Sequence, residues 1–244
     1  MQITKNIPYG PYPENLLDLY LPDNECFDLF LYMHGGGLES GNKDKHQQIF
    51  TYLAENGIAA ASIDYRMYPT ANYPDFIEDA AAAAAWLKMN IELCGQCNRI
   101  FIGGSSAGAY LSMMLCFDKR WLEEYDLKAT DFAGFFHDAG QPTKHFNVLR
   151  ECGIDSRRVI VDETAPLFHV GCDEAYPPMH IVVSDNDMAG RYEQTTLLVQ
   201  TLQQFGHNAT MEVRHGKHCH YVGALDEQGN SILGQMIYNF MQNV

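Results

Sequence analysis

Positive charge is what this chain has least of. Its 244 residues carry 16 Lys and Arg against 31 Asp and Glu, a formal net charge of −15. Nucleic acid and anionic membrane surfaces repel such a chain, so neither is expected as a partner. No apolar run reaches the roughly 20 residues that span a bilayer. The N-terminal stretch Met1 to Tyr9 lacks the apolar core and small-residue cleavage site of a signal peptide. The cysteines number seven, an odd count. Without an export signal they argue for free thiols in a reducing cytoplasm, the expected location. Repeats, low-complexity tracts and linkers are missing too. Residues 1–244 are therefore expected to form one domain.

What the chain does have is alternation. Leu16 to Leu21, Phe27 to Met33, Ile58 to Ile63, the run ending at Ser105, Phe132 to Phe136, Met179 to Val183 and Thr210 to Arg214 read as strands. Between them, Gln47 to Asn56, the Ala-rich run from Asp75, Ala107 to Cys116, Arg191 to Phe205 and Ser231 to Phe240 read as helices. Asp75 and Glu78 stand at the spacing of a capping box. Strand–helix alternation predicts an α/β fold, a mostly parallel central sheet with helices on both faces. Residues 137–178 show poor periodicity and are expected to be a lid or pocket-wall insertion.

In such folds chemistry gathers at the C-terminal ends of the strands. Four strand ends carry suitable residues. His34-Gly35-Gly36-Gly37 follows the first strong strand, and its glycines let backbone N–H groups approach a ligand. Gly104-Ser105-Ser106-Ala107-Gly108 lies between a strand and a helix, the pattern of a nucleophile elbow centred on Ser106. Ser184-Asp185-Asn186-Asp187 offers an acid. His215-Gly216-Lys217-His218-Cys219-His220 offers a base. Asp187 is favoured over Asp185, and His218 over His220. The order serine, acid, histidine is that of a hydrolase triad. The His/Cys cluster has no common zinc spacing, so no metal and no cofactor is expected. Cys94 and Cys97 form a single pair without a second pair, and read as incidental thiols. Asp64-Tyr65-Arg66 reads as a hydrogen-bonded corner beside the glycine loop.

These motifs resemble the α/β-hydrolase fold esterases and lipases similar to hormone-sensitive lipase. The likeness runs from about Leu16 to Tyr221. It implies Ser106, Asp187 and His218 as the catalytic residues. It also implies an oxyanion hole of Gly36, Gly37 and Ala107 N–H groups. His34 is expected to organise the glycine loop and, with Leu38, Gln141, His145 and Phe146, to contact substrate. Ser105 stands where the group most often has Asp, and the short stretch before His34 leaves no room for N-terminal cap helices. The implied activity is that of a serine carboxylesterase acting on short-chain or aryl esters, including acetyl or feruloyl esters of carbohydrates. An amidase or aryl-formamidase with the same triad, and an inactive binding protein of the same fold, are the alternatives.

Overall fold

The computed structural model describes residues 1–171 and 174–244. Eight strands form one sheet in the order β1-β2-β4-β3-β5-β6-β7-β8. They are β1 (Gln2–Pro8), β2 (Leu16–Leu21), β3 (Cys26–Met33), β4 (Ile58–Ile63), β5 (Gln96–Ser105), β6 (Gly134–Asp138), β7 (Met179–Asn186) and β8 (Ala209–Lys217). The pairs β1/β2 and β2/β4 are antiparallel; the rest are parallel. All six parallel strands therefore end on the same edge of the sheet, where their following loops meet.

The sequence explains why the sheet is covered on both sides. Along β3, Leu29, Leu31 and Met33 enter one apolar core while Phe30 and Tyr32 enter the other. The same alternation runs through Ala59, Ala60 and Ala61 of β4 and Phe135 and Phe136 of β6. A strand apolar on both faces needs a helix layer on each. The first face is covered by α2 (Asp75–Asn90), α3 (Ala107–Phe117) and α6 (Arg191–Gln204). The second is covered by α1 (Gln47–Glu55) and α7 (Ile232–Gln242). Two short helices, α4 (Arg120–Glu123) and α5 (Phe146–Glu151), sit in the connections around α3 and β6. The alanines of α2 let it lie close against the sheet; Ala80, Ala81, Ala83, Ala84 and Ala85 are all buried.

Two expectations need correction, and one strand was missed. The strand expected at Phe132 to Phe136 begins at Gly134 and runs to Asp138. β1 went unread because its residues are almost all exposed and show no apolar face; its ladder to β2 holds it in place. Asp75 does not cap α2 but starts it, after Pro74. Its carboxylate instead accepts from the Asn72 N–H and from Arg66. The expected insertion at 137–178 holds the end of β6, α5 and a short 3-10 turn at Pro166–His169. Its residues 172 and 173 lie outside those described. Among the described residues no helix is long and apolar enough to cross a membrane. Six described cysteines, Cys94 and Cys97 among them, are free thiols, and Cys172 lies outside the described residues.

Candidate active site

Ser106 stands at the junction of β5 and α3, the strand–turn–helix setting of an elbow. Its backbone is at φ 55° and ψ −113°, a conformation that L residues rarely adopt. The surroundings hold it there. Its N–H donates to the Asp138 carbonyl at 2.7 Å, and its own carbonyl accepts from the Tyr110 N–H at 3.0 Å. Gly108 permits the close approach of α3 to the end of β3, since a Cβ there would lie 2.0 Å from the Met33 carbonyl oxygen.

Three loops bring a hydroxyl, an imidazole and a carboxylate together. His218 Nε2 lies 2.8 Å from Ser106 Oγ, and His218 Nδ1 lies 2.6 Å from Asp187 Oδ1. An ionised carboxylate only accepts, so Nδ1 carries the proton and Nε2 is free to accept from the serine hydroxyl. The Asp187 side chain is fully shielded from solvent. Burial alone would raise its pKa, but the His218 hydrogen bond and charge, with the Met188 and Ser184 N–H groups, hold it below the usual carboxylate value. The alternatives lie elsewhere. His220 Nδ1 bonds the Lys217 carbonyl at 2.8 Å. Asp185 pairs with the exposed ring of His215 at 2.6 Å.

The glycine loop faces this chain. A Cβ on Gly35 would come within 3.2 Å of Ser106 Cβ. Gly36 and Gly37 both take positive φ, 129° and 68°. Their N–H groups, with that of Ala107 at the first position of α3, have no acceptor among the described residues. His34 braces the loop. One ring nitrogen lies 2.8 Å from the Gly35 carbonyl, and the ring stacks on Tyr65 at 4.4 Å. Burial pushes the His34 pKa down to about 4, so the ring is neutral at neutral pH. Tyr65 in turn donates to the His34 carbonyl at 2.8 Å. Arg66 donates to Asp79, Asp75 and Glu78. Asp64, Tyr65 and Arg66 thus form the expected corner.

Beneath the serine lies a polar layer that the sequence did not reveal. Asp138, at the end of β6, pairs in register with Ser105. Its carboxylate accepts from the Tyr221 hydroxyl, and its other oxygen is buried with no hydrogen-bond partner among the described residues, although the Ser105 hydroxyl lies close. Burial pushes the Asp138 pKa up to about 6 in spite of the Tyr221 and Ser105 hydroxyls and the His218 charge. Tyr32 donates to Ser105 Oγ at 3.0 Å.

A cleft of about 430 Å³ opens onto Ser106 and His218 and is lined by His34, the three glycines and Phe146. Tyr32, Met188 and Cys219 also line it, and none was expected from sequence as a substrate contact. Three of the expected substrate contacts are elsewhere. Leu38 is fully buried, because its positive φ of 65° turns the side chain into the core. His145 is buried, caps α5 through its ring nitrogen and stacks on Phe146. Gln141 lines a neighbouring cleft instead. A groove of about 660 Å³ between β7, β8 and α7 shares no residue with the cleft over Ser106.

Residues 17–135 match the model of the BD-FAE family. A probable isoprenylcysteine alpha-carbonyl methylesterase of Arabidopsis thaliana is 34% identical over 121 residues, which is 48% of this chain and 29% of that protein. An acetyl esterase of Salmonella schwarzengrund is 32% identical over 120 residues, 48% of this chain and 36% of that protein. The matched stretch, about half of this chain, thus spans about a third of the length of these curated relatives. Among solved structures, an esterase B of Lactobacillus rhamnosis superposes with a TM-score of 0.79 at 19% identity, covering 99% of this chain and 85% of that one. A truncated carbohydrate esterase from gut microbiota superposes with a TM-score of 0.78 at 19% identity, covering 98% and 96%. The fold they share with this chain is the α/β-hydrolase fold.

Proposed function

We propose that this chain, an α/β-hydrolase resembling the hormone-sensitive-lipase-like esterases, is a serine carboxylesterase that cleaves small esters through an acyl-enzyme. The observation that carries the reading is the hydrogen-bonded chain Asp187–His218–Ser106 at the mouth of a cleft. A serine hydroxyl is a poor nucleophile at neutral pH and needs a base in hydrogen-bond contact. His218 Nε2 takes the Ser106 proton as Oγ attacks the ester carbonyl carbon. Asp187 keeps the ring in the needed tautomer and stabilises the imidazolium that forms. The carbonyl oxygen becomes an oxyanion, met by the free N–H groups of Gly36, Gly37 and Ala107. When the tetrahedral intermediate collapses, the C–O bond to the alcohol breaks and His218 returns the proton to the departing oxygen. Water then repeats the sequence on the acyl-enzyme and releases the acid.

The cleft fits a short acyl or aryl group, and the residues around it offer both apolar and polar contacts through Phe146, Met188 and Glu39. The esterase names of the relatives, among them an acetyl esterase and a carbohydrate esterase, support acetyl esters of sugars as the substrate class to try. The test is Ser106→Ala assayed on 4-nitrophenyl acetate and on acetylated sugars. Turnover should fall by about 10⁴-fold or more, and a fluorophosphonate should label Ser106 in the wild type. Undiminished turnover, or labelling at another residue, would overturn the reading.

A further inference from the structure

Phe146 and Met188 have a second side. Both also line a neighbouring cleft of about 340 Å³, so they form a wall common to it and to the cleft over Ser106. The neighbouring cleft gathers Arg150, Arg157, Arg158 and Arg191, four of the chain's eight arginines. This concentration runs against a net charge of −15. Two of the four are committed: Arg157 to Asp155 at 2.5 Å, and Arg150 to Glu39 at 3.3 Å. The Arg158 side chain has no hydrogen bond or ion pair among the described residues, although its N–H donates to the Asp155 carbonyl.

Arg191 is the unusual member. It is only 5% exposed. Its guanidinium donates to the Ala139 carbonyl and, at 3.2 Å, to Gln141 Oε1. Both acceptors are neutral. Among the described residues no carboxylate comes within ion-pair distance of it. A guanidinium has five N–H donors, and a buried cation is costly unless a counter-charge and hydrogen bonds compensate it. Burial holds the Arg191 pKa below the ordinary arginine value, while the Asp187 charge works the other way. Arg191 is also the first residue of α6, whose N-terminus adds its own positive end to the cleft. A buried cation with no carboxylate at ion-pair distance among the described residues and a helix N-terminus thus meet in one cleft.

We infer that this cleft receives a carboxylate carried by the ester substrate, with Arg191 and Arg158 as its partners. Phe146 and Met188 pack against the segment that joins the carboxylate to the ester. A carboxylate would supply the direct ion-pair partner that Arg191 lacks and accept from both prongs of a guanidinium. The inference deepens the esterase reading and rests on it, naming anionic esters as the preferred class.

Two matched pairs of esters test it. The pair 4-acetoxybenzoate and methyl 4-acetoxybenzoate places the charge on the leaving group. The pair mono-4-nitrophenyl succinate and 4-nitrophenyl butyrate places it on the acyl group. Rates are divided by those of alkaline hydrolysis. In one pair or the other, kcat/KM at low salt should favour the anion by roughly tenfold or more. The preference should shrink as salt screens it and collapse in Arg158→Gln, an exposed position whose replacement leaves the fold intact. Arg191→Met should collapse it further where that variant folds. No preference in either pair, or one untouched by Arg158→Gln, overturns the inference while leaving the esterase reading in place. If the wild type cleaves none of the four esters, the esterase reading fails, and titration calorimetry with benzoate decides the cleft separately. Binding at least fivefold weaker in Arg158→Gln supports the anion site; equal binding, or none by the wild type, overturns it.

Discussion

The Tyr221 hydroxyl donates to the carboxylate of Asp138, directly beside the strand residue that precedes Ser106. Asp138 is fully buried, and its second oxygen has no hydrogen-bond partner among the described residues. Its folded pKa of about 6 lies above the value of an unfolded aspartate. Between about pH 4 and pH 6 the folded chain therefore keeps a proton that the unfolded chain has lost. Stability should fall as pH rises through that window and level off above it. The contribution is about 3 kcal/mol. Asp138→Asn keeps a hydrogen-bonding group there without the charge. Urea unfolding at pH 4 and pH 7.5 should show the variant gaining on the wild type by about that amount at the higher pH. A difference between the two proteins that stays constant with pH would show that Asp138 titrates normally.

The two histidines and two aspartates that the sequence left open can be separated by activity. His218→Gln and Asp187→Asn remove links in the chain to Ser106, and each should lower kcat by about 10³-fold or more. His220→Gln and Asp185→Asn touch the Lys217 carbonyl, the exposed His215–Asp185 pair and the Gly216 N–H, none of which contacts Ser106. Both should retain turnover within about threefold, because exposed pairs contribute little. If His220→Gln proved the inactive variant, the base would have to be reassigned.

How much could be read in advance follows from where each signal lies. The parallel sheet was legible because its strands are apolar on both faces, as Leu29, Phe30 and Leu31 show. The loops carrying Ser106, Asp187 and His218 were legible because each directly follows a strand that could be read from its sequence. Asp138 was not, since its burial depends on β6 lying between β5 and β7. Leu38 and His145 were misplaced because their chain neighbours, Gly37 and Phe146, do reach the cleft while their own backbone turns them inward. Arg191 read only as the start of a helix. That no carboxylate among the described residues pairs with it directly is a property of the folded surroundings, and no local pattern announces it.

The Arg66 corner makes a prediction about stability. Arg66 donates to both oxygens of Asp79, at 2.9 Å each, and its guanidinium lies 3.8 Å from the centre of the Tyr12 ring. Asp79 is buried, at 3% exposure. Arg66→Met would leave that carboxylate without its cation, a change that costs about 3–5 kcal/mol. Equilibrium urea unfolding should show a loss of that size, and Arg66→Met/Asp79→Leu should recover part of it, since removing both charges leaves nothing uncompensated. A double variant no more stable than the single one would mean that the corner holds by shape rather than charge.

Gly36 makes the sharpest claim on the oxyanion loop. Its φ of 129° is open to glycine and strained for alanine. A Cβ there would lie 1.8 Å from the Ser40 carbonyl oxygen, and the Gly36 carbonyl is itself tied to that residue by accepting from the Ser40 N–H at 3.0 Å. Backbone cannot yield as a flexible side chain can, so Gly36→Ala must turn the loop and carry its N–H away from Ser106. Losing one such donor costs about 2.7–4 kcal/mol of transition-state stabilisation, or about 10²–10³ in kcat. Gly37→Ala is strained too, at φ 68°, but its Cβ would meet side chains rather than backbone: the tip of the Phe146 ring at 3.0 Å and Asn147 Nδ2 at 3.7 Å. The ring can shift, so the loss should be smaller and should fall on KM as the cleft narrows. Steady-state kinetics on 4-nitrophenyl acetate separate the two outcomes. Gly36→Ala with an unchanged kcat would remove that N–H from the proposed oxyanion hole and leave the work to Gly37 and Ala107.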